Sequence, residues 1–147
     1  MKDVHVAVGI AAIALNAIAC AYGAWCWREA RAGPWFWRVL RSAQAVVVVQ
    51  VVLGGVLVLT GPKPKGLHVL YGVLPLLVTL IAETLRAAAA QMVLDQRGLD
   101  SAKAVGRLPD VQQRRIVVAI VQRELAVVTI AAAVVVVLLL RAAQTAG

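Results

Sequence analysis

The fold is decided by the stretch from Gln50 to Gly72, QVVLGGVLVLTGPKPKGLHVLYG. An apolar run of helical length ends near Thr60, a short segment of glycine, proline and lysine follows (residues 61–66), and a second apolar run begins at once. Glycine–proline pairs mark turns, and the lysines favour a turn in water. The stretch therefore predicts a helix that leaves a membrane, turns and re-enters it with His68 in its first turn. An ionisable side chain at that depth suggests a functional site.

Composition extends this interpretation to the whole chain. Of its 147 residues, 62% are hydrophobic and only 15% are charged, which is too apolar for a soluble domain of this size. A bilayer core about 30 Å thick needs about 20 helical residues per crossing, and strand-type alternation is absent from runs such as AAAVVVVLLL. We expect an all-α integral membrane four-helix bundle, one domain over residues 1–147. Its predicted spans are residues 4–27, 39–60, 67–85 with a cytoplasmic extension to 97, and 116–140.

The distribution of basic residues predicts the orientation. Those beside the first and third connections are Arg28, Arg31, Arg38, Arg41, Arg86, Arg97, Lys103, Arg107, Arg114, Arg115 and Arg123. Those on the other side are Lys2, Lys63, Lys65 and Arg141. Because cytoplasmic loops carry the excess of Lys and Arg, we expect both termini outside, in a multi-pass protein of the bacterial cytoplasmic (inner) membrane. The net charge of +8 then reflects topology and contact with membrane lipid, with no nucleic acid as partner.

Two histidines are expected to share one depth. His5 and His68 each lie in the first turn of a span, and the first and third spans run in the same direction. Each is followed four residues later by glycine, Gly9 or Gly72, and positions i and i+4 lie on one helix face. The space below each imidazole is therefore expected to be free of side chain.

A haem is the cofactor that this arrangement predicts. Gly54 and Gly55 reach the same level, about 8–9 Å below the end of their helix, and a porphyrin between helices can be held by one imidazole from each side. Zinc normally takes four ligands, so two imidazoles are too few. The open alternative is two interfacial histidines bound to headgroups or water, with glycines serving helix packing. The predicted cofactor-binding residues are His5, His68, Gly9, Gly72, Gly54, Gly55, Lys63 and Lys65, with the histidines as metal ligands and the lysines for the propionates.

Further polar residues fall into two deeper layers. The middle layer contains Asn16, Gln50, Thr79 and Thr129, for which interhelical hydrogen bonding is the ordinary use and a quinone site a less favoured one. The inner layer places Glu83 and Arg123 at nearly equal depth, which predicts an ion pair between the third and fourth spans. A capping box formed by Asp110 and Gln113 is expected to start the last helix.

The stretch from Gln50 to Gly72 also resembles the haem-binding half of the heme A synthase family. That family's pattern is a helix of the type Q-x3-GG-x-(T/V)-V-L-T-G, a short outer loop and a helix that opens with L-H. The corresponding residues are Gln50, Gly54, Gly55, Val58, Leu59, Thr60, Gly61, Leu67 and His68. The resemblance implies one haem bound by histidines at the outer ends of two parallel helices, here His68 and His5. The chain lacks the family's outer-loop cysteine pair and second bundle, so we expect neither its oxidation chemistry nor a catalytic residue.

Three functions are consistent with these features of the sequence. The first is a membrane protein that binds b-type haem near the outer face, for electron transfer or haem handling, as a homo-oligomer or within a larger respiratory membrane complex. The second is a cofactor-free accessory or structural subunit of a membrane complex. The third is a small oligomeric transporter whose path is lined by Asn16, Gln50 and Thr129.

Overall fold

The chain is helical throughout the part that the computed structural model describes, residues 1–61 and 66–145. The helices are α1 (Lys2–Arg28), α2 (Pro34–Thr60), α3 (Gly66–Asp95), the short α4 (Ala102–Val105) and α5 (Asp110–Gln144). The four long ones contain 27, 27, 30 and 35 residues and are long and apolar enough to cross a membrane. This confirms the predicted all-α class with four candidate spans, and no strand occurs in the described residues. Lys63 and Lys65 lie outside those residues.

Two helix boundaries differ from the predicted ones for local reasons. α2 starts at Pro34, several residues before its predicted span, because proline has no N–H to leave unpaired and its fixed φ suits a first helical position. The predicted capping box at the start of α5 is wrong. Pro109 is the N-cap residue and no side chain caps the helix, while the Gln113 amide donates to the Leu108 carbonyl at 2.8 Å.

Neighbouring long helices pack in antiparallel pairs. α1 packs against α2 and α5, and α3 packs against α5 and, less closely, against α2. Consequently α1 and α3 run in the same direction, opposite to α2 and α5. We call the end where α1 and α3 begin the histidine end, and the end where α1 and α3 finish the arginine-rich end.

Two buried clusters fill the interior. Near the histidine end Ala12, Val47, Val135 and Leu139 pack together. Towards the arginine-rich end the cluster consists of Ala19, Cys26, Phe36, Leu40, Ala43, Leu125, Val128 and Ala132. Large apolar side chains, among them Ile10, Val52, Leu80 and Val137, are exposed on the outside of the helices, as expected of surfaces that face lipid.

The arginine-rich end extends beyond the ends of α1 and α2. There the last turns of α3 pack on the first turns of α5 through Val93, Leu94 and Ile116, all buried. Leu99, Val105 and Leu108 of the connection cover this small core. The first part of α5 therefore packs against the last turns of α3.

Candidate functional site

The structure brings the two histidines together. His5 in the first turn of α1 and His68 in the first turn of α3 have ring centroids 6.2 Å apart, and their ring planes are inclined by 70°. Both side chains are half-buried. Because the two helices run in the same direction, their first turns lie at one level, which is the juxtaposition expected from the sequence.

A backbone carbonyl orients His68. Its Nδ1 lies 2.9 Å from the carbonyl oxygen of Ala142, near the end of α5. A carbonyl oxygen only accepts hydrogen bonds, so Nδ1 carries the proton and donates, and Nε2 keeps its lone pair. Metal-binding histidines typically donate their other ring nitrogen to a carbonyl or carboxylate in this way.

An amide side chain contacts His5. The Nε2 atom of His5 lies 3.3 Å from the Nε2 atom of Gln50 on α2. His5 Nδ1 and Gln50 Oε1 are buried and have no hydrogen-bond partner among the described residues. A half-turn of the amide would exchange its oxygen and nitrogen, but Nδ1 of His5 would still have no partner among the residues that the structure describes. A buried polar atom without a partner is unusual and marks a place where another group can bind.

Two of the predicted glycines make room for these side chains. A Cβ atom on Gly9 would lie 2.9 Å from Gln50 Nε2, and one on Gly54 would lie 3.3 Å from His5 Cε1. Contacts that short would displace the amide or the ring. Because Gly9 and Gly54 have no side chains, they leave room for Gln50 and His5, and these two side chains already fill that room.

The other two predicted glycines border open space. Among the described residues, a Cβ built on Gly55 or Gly72 would have no atom within 4 Å apart from its chain neighbours and the backbone of its own helix. Gln44 of α2 donates a hydrogen bond to Glu83 of α3 at 2.8 Å, so these two residues mark the faces where the helices meet. Gly55 lies eleven residues after Gln44 on α2. Gly72 lies eleven residues before Glu83 on α3. Eleven residues are about three helical turns, so both glycines lie on the faces that α2 and α3 turn towards each other. We call this opening beside the histidines the α2–α3 cleft.

The middle polar layer is arranged differently from the prediction. Asn16 and Thr79 line a cavity of about 10 Å³ together with Gln44, which is room for about one water. Gln50 lies instead at the histidine end, beside His5. Thr129 packs against Gly23, where an added Cβ would collide with its hydroxyl.

The predicted ion pair between Glu83 and Arg123 is wrong. The Glu83 carboxylate accepts from Gln44 at 2.8 Å, from Arg41 at 3.1 Å and from Arg86 at 3.0 Å. Arg123 lies further towards the arginine-rich end, where it contacts the Gln96 amide at 3.4 Å. The carboxylate therefore joins α3 to α2.

Comparison with known proteins leaves the site to be interpreted from its geometry. No protein-family model, no curated protein and no solved structure matches the chain. Within the described residues no group of three or more His, Cys, Asp or Glu side chains could hold a metal ion. The two facing imidazoles are thus the metal-binding groups that the site offers.

Proposed function

We propose that this protein is a membrane-spanning four-helix bundle that binds one b-type haem between His5 and His68. The observation that carries the proposal is the 6.2 Å separation of the two ring centroids. A metal–imidazole bond is about 2 Å long, so two imidazoles on opposite sides of one metal ion have centroids about 6 Å apart.

The number of protein ligands favours haem over a bare metal ion. A zinc ion takes four ligands, usually from side chains, and the site offers two. A porphyrin brings four nitrogen ligands of its own and needs the protein only at the two axial positions. Two histidines are sufficient for that cofactor.

The α2–α3 cleft supports a flat ligand beside the histidines. Gly55 and Gly72 place no side chain in it, and α2 and α3 pack less closely than the other neighbouring helices. A haem bound here would be held by His68 of α3 and His5 of α1. The resemblance to the heme A synthase half agrees with this placement and stays a prediction.

Two neighbours hold the imidazoles for this role. Ala142 keeps the proton of His68 on Nδ1 and so leaves Nε2 as the nitrogen that can bind iron. Gln50 contacts His5 and limits rotation of its ring. Gly9 has no side chain and so leaves room for the Gln50 amide. A haem held by His5 and His68 would exchange single electrons, so we propose electron transfer or haem handling, in a homo-oligomer or a larger respiratory membrane complex.

The proposed orientation follows from the basic residues. With the arginine-rich end in the cytoplasm, the histidine end and both termini lie at the opposite surface of the bacterial cytoplasmic membrane. Haem would then lie near that outer surface, where a partner outside the cytoplasm can reach it.

Absorbance spectroscopy tests the proposal. Protein purified in detergent from haem-replete cells should show a Soret band that shifts on reduction with dithionite. His68→Gly should lose this band, and free imidazole should restore it by filling the vacated position. His5→Ala should lose or weaken it. Folded, helical wild-type protein that is colourless and takes up no added hemin would contradict the proposal and favour the cofactor-free accessory subunit.

A further inference from the structure

A second candidate site lies at the opposite end of the molecule. Here α3 and α5 extend beyond α1 and α2, and a shallow groove runs along the outside of α5. Its lining combines three arginines with small apolar side chains. The residues are Arg97, which follows α3, and Val111, Arg114, Arg115, Val118, Ala119 and Gln122 of α5. We call it the arginine groove.

The charge of this groove is not balanced by nearby carboxylates. Among the described residues the ion pairs use other arginines, namely Arg28, Arg41 and Arg86. Asp95, the last residue of α3, accepts from Gln91, and Asp110, four residues before Arg114, forms no ion pair among the described residues. Three guanidinium groups therefore surround one depression without a carboxylate in salt-bridge contact. Guanidinium groups bind phosphate oxygens in a planar, two-pronged geometry, which makes a phosphate the complementary ligand.

The order of residues along α5 matches the polarity of a phospholipid. Leu125 packs in one cluster with Cys26 and Phe36, which lie close to the ends of α1 and α2. From that level outward, α5 presents Val118 and Ala119 after about 10 Å and Arg115 after about 15 Å, at 1.5 Å per residue. Val118 and Ala119 thus lie on the membrane side of Arg114 and Arg115, with Gln122 nearer the membrane still and Val111 beyond the arginines.

We propose that the arginine groove binds the headgroup of an anionic phospholipid from the surrounding bilayer. Arg97, Arg114 and Arg115 contact the phosphate, with long side chains that can reach back towards the membrane surface. The acyl chains pass over Val118 and Ala119 into the bilayer. The site requires no haem, so this proposal and the proposed function can fail separately.

Retention of lipid by the full chain tests the proposal. The protein is reconstituted into nanodiscs of equal parts phosphatidylglycerol and phosphatidylcholine, extracted in mild detergent, and its bound lipid counted by native mass spectrometry. We expect about one phosphatidylglycerol per chain, in preference to phosphatidylcholine. The double variant R114Q/R115Q should retain about 30-fold less, since each basic residue near an anionic surface contributes about 1 kcal/mol and two are removed.

A matched variant separates the groove from general charge. K103Q/R107Q removes the same charge from the same end, but Lys103 and Arg107 do not line the groove, so this variant should retain lipid like the wild type. R97Q provides a second groove variant if the double one does not fold. Equal loss in the control, or no loss in either groove variant, would overturn the proposal. So would displacement of the lipid by millimolar glycerol phosphate, which would indicate a site for a free phosphate.

Discussion

At the scale of single residues, the histidine site depends on the groups that pack against each imidazole. Gly9 has no side chain, the Gln50 amide fills the resulting space, and that amide contacts His5. Sequence reasoning identified Gly9 and His5 from the four-residue spacing. It placed Gln50 in the middle layer because depth was counted from the end of each helix. In the structure Gly54 lies beside His5. Gly54 is six residues before the end of α2, whereas His5 is only three residues after the start of α1. The two helix ends are therefore not at one level.

Gly9→Ala should therefore weaken haem retention. The new methyl group would displace the Gln50 amide and loosen His5, and losing a contact that orients a metal ligand typically costs about 10–100-fold in affinity. The measurement is haem per chain after gel filtration, from the ratio of Soret to protein absorbance.

Gly33→Ala is the matched control, because a Cβ on Gly33 would contact nothing among the described residues and Gly33 precedes α2 at the arginine-rich end, away from the histidines. It should keep most of the haem. If both variants lose haem equally, the contact of Gly9 with Gln50 has no special role.

At the scale of helices, the best-connected polar contact joins α2 and α3. Arg41 and Gln44, three residues apart on α2, both donate to Glu83, and Arg41 also donates to Gln44 at 2.6 Å. Counting residues predicts nearly equal depths for Glu83 and Arg123, which is wrong, since Arg123 lies beside Gln96. Depth also does not select which neighbouring helix a side chain faces. That choice depends on helix rotation, which the uniform Val, Leu and Ala surface of these spans does not reveal.

Glu83→Gln should lower stability by about 1–2 kcal/mol. The substitution leaves two guanidinium groups inside a span with an amide instead of a carboxylate. The side chains of Arg41, Arg86 and Glu83 are 50%, 25% and 25% exposed, so the loss should be smaller than for a fully buried pair. Thermal unfolding in detergent, followed by circular dichroism, measures it.

The exposed pair of Arg28 and Glu29, 3.7 Å apart, supplies the comparison. Glu29→Gln should leave the unfolding temperature unchanged, because exposed ion pairs contribute little. A Glu83→Gln protein as stable as the Glu29→Gln protein would show that the α2–α3 contact is held by apolar packing.

At the scale of the whole molecule, the number and order of the helices could be predicted from the sequence. The apolar runs are long, and Gly, Pro and charged residues separate them. The meeting of His5 and His68 could be predicted as well, because spans that run the same way place their first turns at one level. The α2–α3 cleft could not, since it depends on which faces of α2 and α3 meet at the Gln44–Glu83 contact.

Orientation in the membrane gives a prediction at this scale. The excess of arginine predicts that the connection between α3 and α5 is cytoplasmic and that the end of α5 is outside. A cysteine introduced at Gln144 should react with a membrane-impermeant maleimide in intact cells, whereas one at Ser101 should react only after permeabilisation. The wild type, whose Cys20 and Cys26 lie within α1, serves as the background. The opposite labelling pattern would show that the topology is the reverse of the predicted one.

The unequal helix lengths have a practical consequence for work with purified protein. Because α3 and α5 are longer than α1 and α2, the connection between them carries Arg97, Lys103 and Arg107 in exposed positions beyond the ends of α1 and α2. Trypsin added to sealed proteoliposomes would reach this connection only in molecules inserted with it facing outward. The cleaved fraction would then report how the population is oriented, and electron-transfer rates measured on those vesicles could be corrected for it.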